Sequence, residues 1–469
     1  MRNEFFVNFL ILKIIKIRND YNRTMKDRLF TDHQLRRLIW PLVIEQFLAI
    51  LVGLVDTIMV SSFGDAAVSG LSIVDNINMM LITIFSALAT GGTVIASQYL
   101  GQWQRKEASE SIKQLVYAML FISGFISLIC LLFQKQILVG LFGNVENEVM
   151  ENAITYFWLS CLSYPGLALY NCGAAAFRAQ GNSKISMNCS LFMNGFNIVG
   201  NAILIYGFQM GVAGAGAATL VARWLGMLVI LKALKNKELP IHIDSYWHYH
   251  PNKKMIKAIL SVGIPSGFEN GLFQAGKIMV QRIVTTLSTV GIAAYALTNN
   301  MCALMCIPGL AIGLAMITVV GQCAGKEDYV QARYYIKKLM KYTYVSMIAL
   351  DILLCLLTPI IFKMYSISTE AKELARICTI IHTFMAITVW PAAFTLPNAL
   401  RASNNAQFTM IVSVLTMFIF RIGGAYVFVE IMGFGLEFIY IAMLIDWIFR
   451  AGIFILFYRS GKWEKEKIV

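Results

Sequence analysis

Four charged residues stand inside stretches of this chain that are otherwise continuously apolar: Glu45 in PLVIEQF, Asp56 in VGLVDTIMV, and Glu269 and Lys277 in PSGFENGLFQAGK. A charge near the centre of a bilayer costs about 2.5–3.5 kcal/mol even on a lenient insertion scale, so each needs a partner, water or a task. A carboxylate in a wet intramembrane cavity can alternate between holding a proton or metal cation and holding a cationic organic molecule. The same residues could instead be static ion pairs that lock helices together, and the sequence leaves both readings open.

Helical geometry sorts the candidates. Glu269 and Lys277 are eight residues apart and project on nearly one face. They stand about 12 Å apart along the axis, too far to touch. Gln274 is displaced from both but close enough to share a cavity wall. Glu45 and Asp56, eleven apart, also share a face. A second polar series, Asn194, Asn197 and Asn201, follows in another apolar stretch. Asp446 and Arg450 have the i, i+4 spacing of an intrahelical ion pair and read as structural. His382 is the one histidine in an apolar span and reads as a hydrogen-bonded core residue before it reads as a proton carrier.

The elements that must position these groups are transmembrane helices. Of 469 residues, 58% are hydrophobic and 14% charged, where a soluble domain carries about 25% charged residues. Twelve apolar windows are long enough to span: 38–62, 70–98, 115–135, 153–177, 186–207, 212–234, 257–287, 292–322, 341–363, 374–399, 407–429 and 436–458. They lack the alternation that marks a membrane β-barrel. The formal charge of +13 falls in alternate loops, which orients a polytopic protein and argues against nucleic acid as a partner; both termini and the loop after residue 234 are expected in the cytoplasm, with the bilayer itself as partner. Nine cysteines without a C-x-x-C pair read as reduced core residues. No phosphate-binding G-x-x-x-x-G-K-[ST] loop, H-E-x-x-H or G-x-S-x-G motif occurs, so the expectation is a non-enzyme with no cofactor. The histidines of HIDSYWHYHP (242–251) read as part of a bridge rather than a metal site.

Laying residue n against n+224 places Pro41 on Pro265, Glu45 on Glu269, Asn76 on Asn300, Gln98 on Gln322 and Gly101 on Gly325. FRAQGN (177–182) is echoed by LRASNN (400–405). The fold expected is therefore all-α and integral to the membrane, with twelve transmembrane helices in two pseudo-symmetric six-helix bundles related by an axis along the membrane normal. The divisions are a basic extension at 1–37, either interfacial or preceding a start at Met25, bundles at 38–234 and 257–458, a cytoplasmic linker and hinge at 235–256, and a basic tail at 459–469.

The stretches PLVIEQFLAILVGLVDTIMVSSFG, ASQYLGQ, FRAQGNSK, NIVGNAILIYGF, GIPSGFENG, AIGLAMITVVGQCAGKED and RAGIFILFYRSGKW resemble the multidrug and toxic compound extrusion (MATE) antiporters over nearly the whole chain from about residue 38. The resemblance implies alternating access and export of organic, mainly cationic compounds in exchange for H⁺ or Na⁺ across the plasma membrane, by a monomer. It places the family's first-helix aspartate at Asp56 and the fifth-helix asparagine of its NorM-like branch at Asn201. That branch's seventh-helix glutamate would fall at Phe273, whereas the acid here is Glu269, and its tenth-helix aspartate is missing, with Trp390 near its place. The candidate coupling or substrate residues are thus Asp56, Glu269, Glu45, Asn201, Gln274, Lys277 and Asn197. A flippase for a lipid-linked precursor, from the same superfamily, is the alternative, and it would call for a markedly basic cavity.

Overall fold

The computed structural model describes residues 28–464 apart from 144, 247–249 and 366. The basic extension before residue 28, His248 of the linker and the last five residues lie outside the described residues. Helix α1 (Asp32–Val60) starts at a capping box, in which Thr31 and Gln34 satisfy each other's backbone N–H groups. It is followed by α2 (Asp65–Gly101), α3 (Arg105–Leu132), the short α4 (Gln134–Phe142), α5 (Asn147–Ala179), α6 (Ser183–Asn201) and α7 (Gly211–Ala233). The second half holds α8 (Lys253–Val284), α9 (Thr289–Met305), α10 (Ile307–Gly325), α11 (Tyr329–Lys363), α12 (Thr369–Thr388), α13 (Leu396–Ala402), α14 (Ala406–Thr416), α15 (Gly423–Tyr426) and α16 (Leu436–Ser460).

Every one of the twelve apolar windows is a helical pass. Among the described residues nine helices are long and apolar enough to cross a bilayer unaided, and a tenth pass is α12 with α13, bent by 60° after Thr388. The remaining two, α5 and α8, are long but more polar, α8 carrying Glu269, Asn270, Gln274 and Lys277 within its length. The window at 292–322 is interrupted at Cys306, just before Pro308, and the one at 374–399 bends at Pro391. Proline lacks the N–H that would continue the ladder, which explains both breaks. Single π-helical turns follow Asn201 (Ala202–Gly207) and contain Arg421 (Met417–Ile422), as is common where a helix is deformed at a functional position.

The backbone repeats the sequence offset. Left-handed residues close corresponding turns in the two halves, at Trp103 and Glu327, Gly181 and Asn404, and Gln209 and Gly433. The halves meet along α2, α8 and α10. A methyl group on Gly101 would come within 2.1 Å of the Gln322 carbonyl oxygen, and one on Gly325 within 2.0 Å of the Gln98 carbonyl oxygen, so the two backbones touch there. The matching glutamines cross over: Gln98 donates to the Ala402 carbonyl at 2.9 Å and Gln322 to the Ala179 carbonyl at 2.8 Å. Each thereby satisfies a carbonyl left open at the end of a helix of the other half.

At this same end the segment before α1 reaches over to the second half. Leu29 N–H donates to Gln331, the Tyr335 hydroxyl engages both backbone groups of Phe30, and Asp32 pairs with Lys338. The linker does not hang free as a hinge would. Ile241 and Ile243 are buried, Tyr246 donates to the Leu231 carbonyl at 2.8 Å, and Gln114 donates to the His250 carbonyl at 2.7 Å. Nor is the tail after residue 458 merely solvated, because Trp463 is fully buried against Tyr329 and Tyr458 and Glu464 pairs with Arg333.

Candidate functional site

Between the halves lies a cavity of about 280 Å³. Gln46, Thr83 and Thr90 line it from the first half; Ser266, Glu269, Asn270 and Phe273 line it from α8. Leu314 of α10, Arg401 of α13 and Arg450 of α16 complete the wall. It is at the small end of the range that holds organic ligands, about 300–1,000 Å³.

Glu269 does not present a free charge to this space. Arg401 binds its Oε1 at 2.7 Å and is itself oriented by a hydrogen bond to Asn398 at 2.8 Å, while Glu269 Oε2 has no partner. Beside this pair, Asp446 is shared by Arg421 at 3.1 Å and Arg450 at 3.2 Å. The expected i, i+4 pair is present, and sequence spacing could not reveal its third member. Three cations surround the Phe273 ring: Lys277 Nζ at 5.4 Å, Arg421 at 5.0 Å and Arg450 at 5.8 Å from its centroid. Gln274 sits beside Phe273 on α8, half-buried and outside the cavity wall. Lys277 is exposed and lies beside the cavity without lining it.

The first half holds a different cluster. Asp56 is buried and accepts a 2.5 Å hydrogen bond from Asn201 Nδ2; the same amide contacts Asn197 Oδ1 at 3.4 Å, and Asn197 donates to Thr219 at 3.0 Å. Asn201 Oδ1 is buried without a partner. Asp75, held by Asn78 and Tyr156, and Arg223, which donates to Ser163 at 2.7 Å, act electrostatically on Asp56. Two acids against one arginine leave this cluster one negative charge in excess. An orphaned amide oxygen next to a carboxylate suits a hard cation, which takes oxygen ligands. It equally suits a protonated carboxyl, which would donate to that oxygen once the amide is turned over.

Glu45 stands apart from both clusters. It is ion-paired with Arg178 at 3.6 Å and accepts a 2.6 Å hydrogen bond from Ser186, and it is not part of the wall that contains Glu269. The two P-x-x-x-E glutamates therefore have equivalent partners, since Arg178 and Arg401 occupy matching places in FRAQGN and LRASNN. The Glu269 pair is part of the cavity wall and the Glu45 pair is not. Neither arginine was expected as a partner of a glutamate, although the echo of the two hexapeptides was the signal that could have joined them. His382 also differs from expectation: it is buried edge-on to Trp447, and neither ring nitrogen has a hydrogen-bond partner.

The model of the family described as MatE matches the chain twice, at residues 41–203 and 265–427, and the two matches begin 224 residues apart. The chain belongs to the MatE family. It is a multi-pass membrane transporter of that family with the twelve-helix fold. It is 27% identical over 433 residues to "Uncharacterized transporter YisQ" of Bacillus subtilis (strain 168), covering 91% of this chain and 94% of the relative. It is 25% identical over 447 residues to "Probable multidrug resistance protein NorM" of Thermotoga maritima, covering 93% and 94%. The fold matches a solved outward-facing multidrug resistance MATE family transporter with a TM-score of 0.86 and 20% identity, over 92% of this chain and 96% of the other.

Proposed function

We propose that this MatE protein is a secondary active exporter that moves small organic compounds out through the cavity between its halves in exchange for H⁺ or Na⁺ bound at Asp56. The observation that carries this reading is the separation of two sites. A cluster of two acids against one arginine with an orphaned oxygen, Asn201 Oδ1, lies in the first half, and a partly open cavity with polar and aromatic walls lies between the halves. Occupation of the first changes the charge held by α1 and α6, and these helices pack against elements that wall the second, so binding at one biases access at the other. Asp56, Asn201 and Asn197 hold the coupling cation; Glu269 and its neighbours meet the cargo. The protein works as a monomer in the plasma membrane with both termini in the cytoplasm, an orientation supported by the basic loops at the end where Gly101 and Gly325 bring the halves together.

The expectation of mainly cationic cargo came from the family resemblance; the 2.7 Å pair with Arg401 means that Glu269, one of the acids offered for it, is not a free carboxylate. The test of coupling uses purified protein in liposomes loaded with a panel of aromatic cations and anions. A sodium gradient or a pH gradient imposed alone should drive export of at least one compound, and Asp56→Asn should abolish that dependence. If neither gradient moves any of the panel, the exporter reading fails.

A further inference from the structure

We propose that the cavity between the halves takes a small amphiphilic organic anion, an aryl carboxylate or sulfonate, whose charged group is received by Arg450 on the wall and drawn by Lys277, which stands just outside the wall on the same Phe273 ring. The inference rests on the exporter reading for its purpose but on charge placement for its chemistry. Four bases (Lys277, Arg401, Arg421 and Arg450) gather on or beside the cavity wall, and two acids (Glu269 and Asp446) answer them. Arg401 is matched by Glu269, and Asp446 is divided between Arg421 and Arg450. Lys277 has no ion pair among the described residues. Asp351, an acid that like Lys277 acts electrostatically on Cys302 of α9 and on Cys306 just after it, is fully buried with neither oxygen hydrogen-bonded. Counting it as charged still leaves a surplus of one positive charge.

The rest of the wall suits the other part of such a ligand. Phe273, Phe394, Leu310, Leu314 and Ile317 are apolar, and 280 Å³ has room for a molecule of one or two rings. Arg421 and Arg450 stand 5.0 and 5.8 Å from the Phe273 centroid, and Arg450 4.9 Å from that of Phe394, so an aryl ring entering beside these phenylalanines meets guanidinium groups and aromatic edges. Glu269 keeps Oε2 free to accept from a neutral hydroxyl or amide donor on the ligand. A full cation would have to approach three positive groups around Phe273, which repel it and attract its mirror in charge.

Radiolabelled naphthalene-2-carboxylate and N-methylquinolinium, two-ring aromatic ions of similar size and opposite charge, are measured for binding to the protein in lipid nanodiscs. The carboxylate should bind more tightly, Lys277→Met should weaken it about tenfold, as loss of one charge-assisted contact does, and Lys277→Arg should retain most of the affinity. Arg450→Lys serves as a second variant that keeps the charge near Asp446 while altering the wall. Tighter binding of N-methylquinolinium, binding of neither ion, or a carboxylate affinity unmoved by Lys277→Met would each overturn the proposal. Tighter binding of geranylgeranyl pyrophosphate would also overturn it, in favour of a lipid cargo. Carboxylate bound in the expected manner but not released under any ion gradient would leave the anion site standing and remove the exporter reading.

Discussion

Asp56 and Glu45 are both carboxylates on α1, yet their partners assign them opposite behaviour. Asp56 is bonded to an amide whose own oxygen is orphaned, whereas Glu45 is pinned by Arg178 and Ser186. Asp56→Asn keeps the shape and the hydrogen bond but not the charge. It should leave thermal stability within about 1 kcal/mol of the parent while gradient-driven export falls to the level of empty liposomes. Glu45→Gln should do the reverse: stability drops by about 3 kcal/mol because the buried Arg178 loses its counter-ion, and the protein that remains folded still follows the gradient. Fluorescence-monitored melting in detergent, run beside the transport assay, separates the two. Asp446→Asn should be costlier than Glu45→Gln, in the range of about 3–5 kcal/mol or above, since one substitution strands two buried guanidinium groups. Sequence spacing alone could place Asp446 with Arg450, four residues on, but not with Arg421 from another helix. Intrahelical neighbours are legible in a sequence because the helix repeat fixes them; partners across helices are fixed by packing, which spacing does not record.

At the scale of elements, hydropathy marked all twelve passes, because every span must cross the same thickness of hydrocarbon. It marked α5 and α8 too, which are less apolar than the others, since length and flanking loops bracket a span even when its inner face is polar. Hydropathy did not mark the break at Cys306, the bend after Thr388 or the π turns, since these change backbone hydrogen bonding without changing apolar content. Pro308 and Pro391 were the available signs. The small helix α4 was missed because an apolar window merges a surface turn into the span before it. Where α2 and α10 meet, the controlling feature is the absence of side chains at Gly101 and Gly325. Gly101→Leu and Gly325→Leu each drive atoms into a carbonyl oxygen of the opposite half, so neither half can close on the other at that end. Spin labels at Gln104 and Lys326 should report a longer mean distance in either variant than in the parent. The helices themselves should remain intact by circular dichroism.

The whole molecule is a pair of equivalent bundles that have diverged in charge. The first carries a surplus acid around Asp56; the second carries surplus bases around Phe273. Inward movement of a cation and outward movement of an anion both shift positive charge inward, the direction favoured by a negative interior, at about 2.3 kcal/mol per charge per 100 mV. Export of an aryl anion should therefore accelerate when valinomycin and potassium set the side of cation entry positive, with both chemical gradients held at zero. An electroneutral cation-for-cation exchange would show no response. The repeat that makes this division possible was readable from the 224-residue offset, whereas the divergence was not: Glu45 and Glu269 look alike in sequence, and so do their arginines, and only their surroundings tell them apart.

Residues 28–32 belong to the first half in sequence but are clasped by Gln331, Tyr335 and Lys338 of the second. This clasp ties the halves together at the end where Gly101 and Gly325 meet, so under the proposed exporter mechanism it is a tether that would have to release and re-form each time that end opens. Any fusion partner attached ahead of Arg28 will load that tether, and turnover measured with a tag at the front of the chain should differ from turnover measured with the tag at the back.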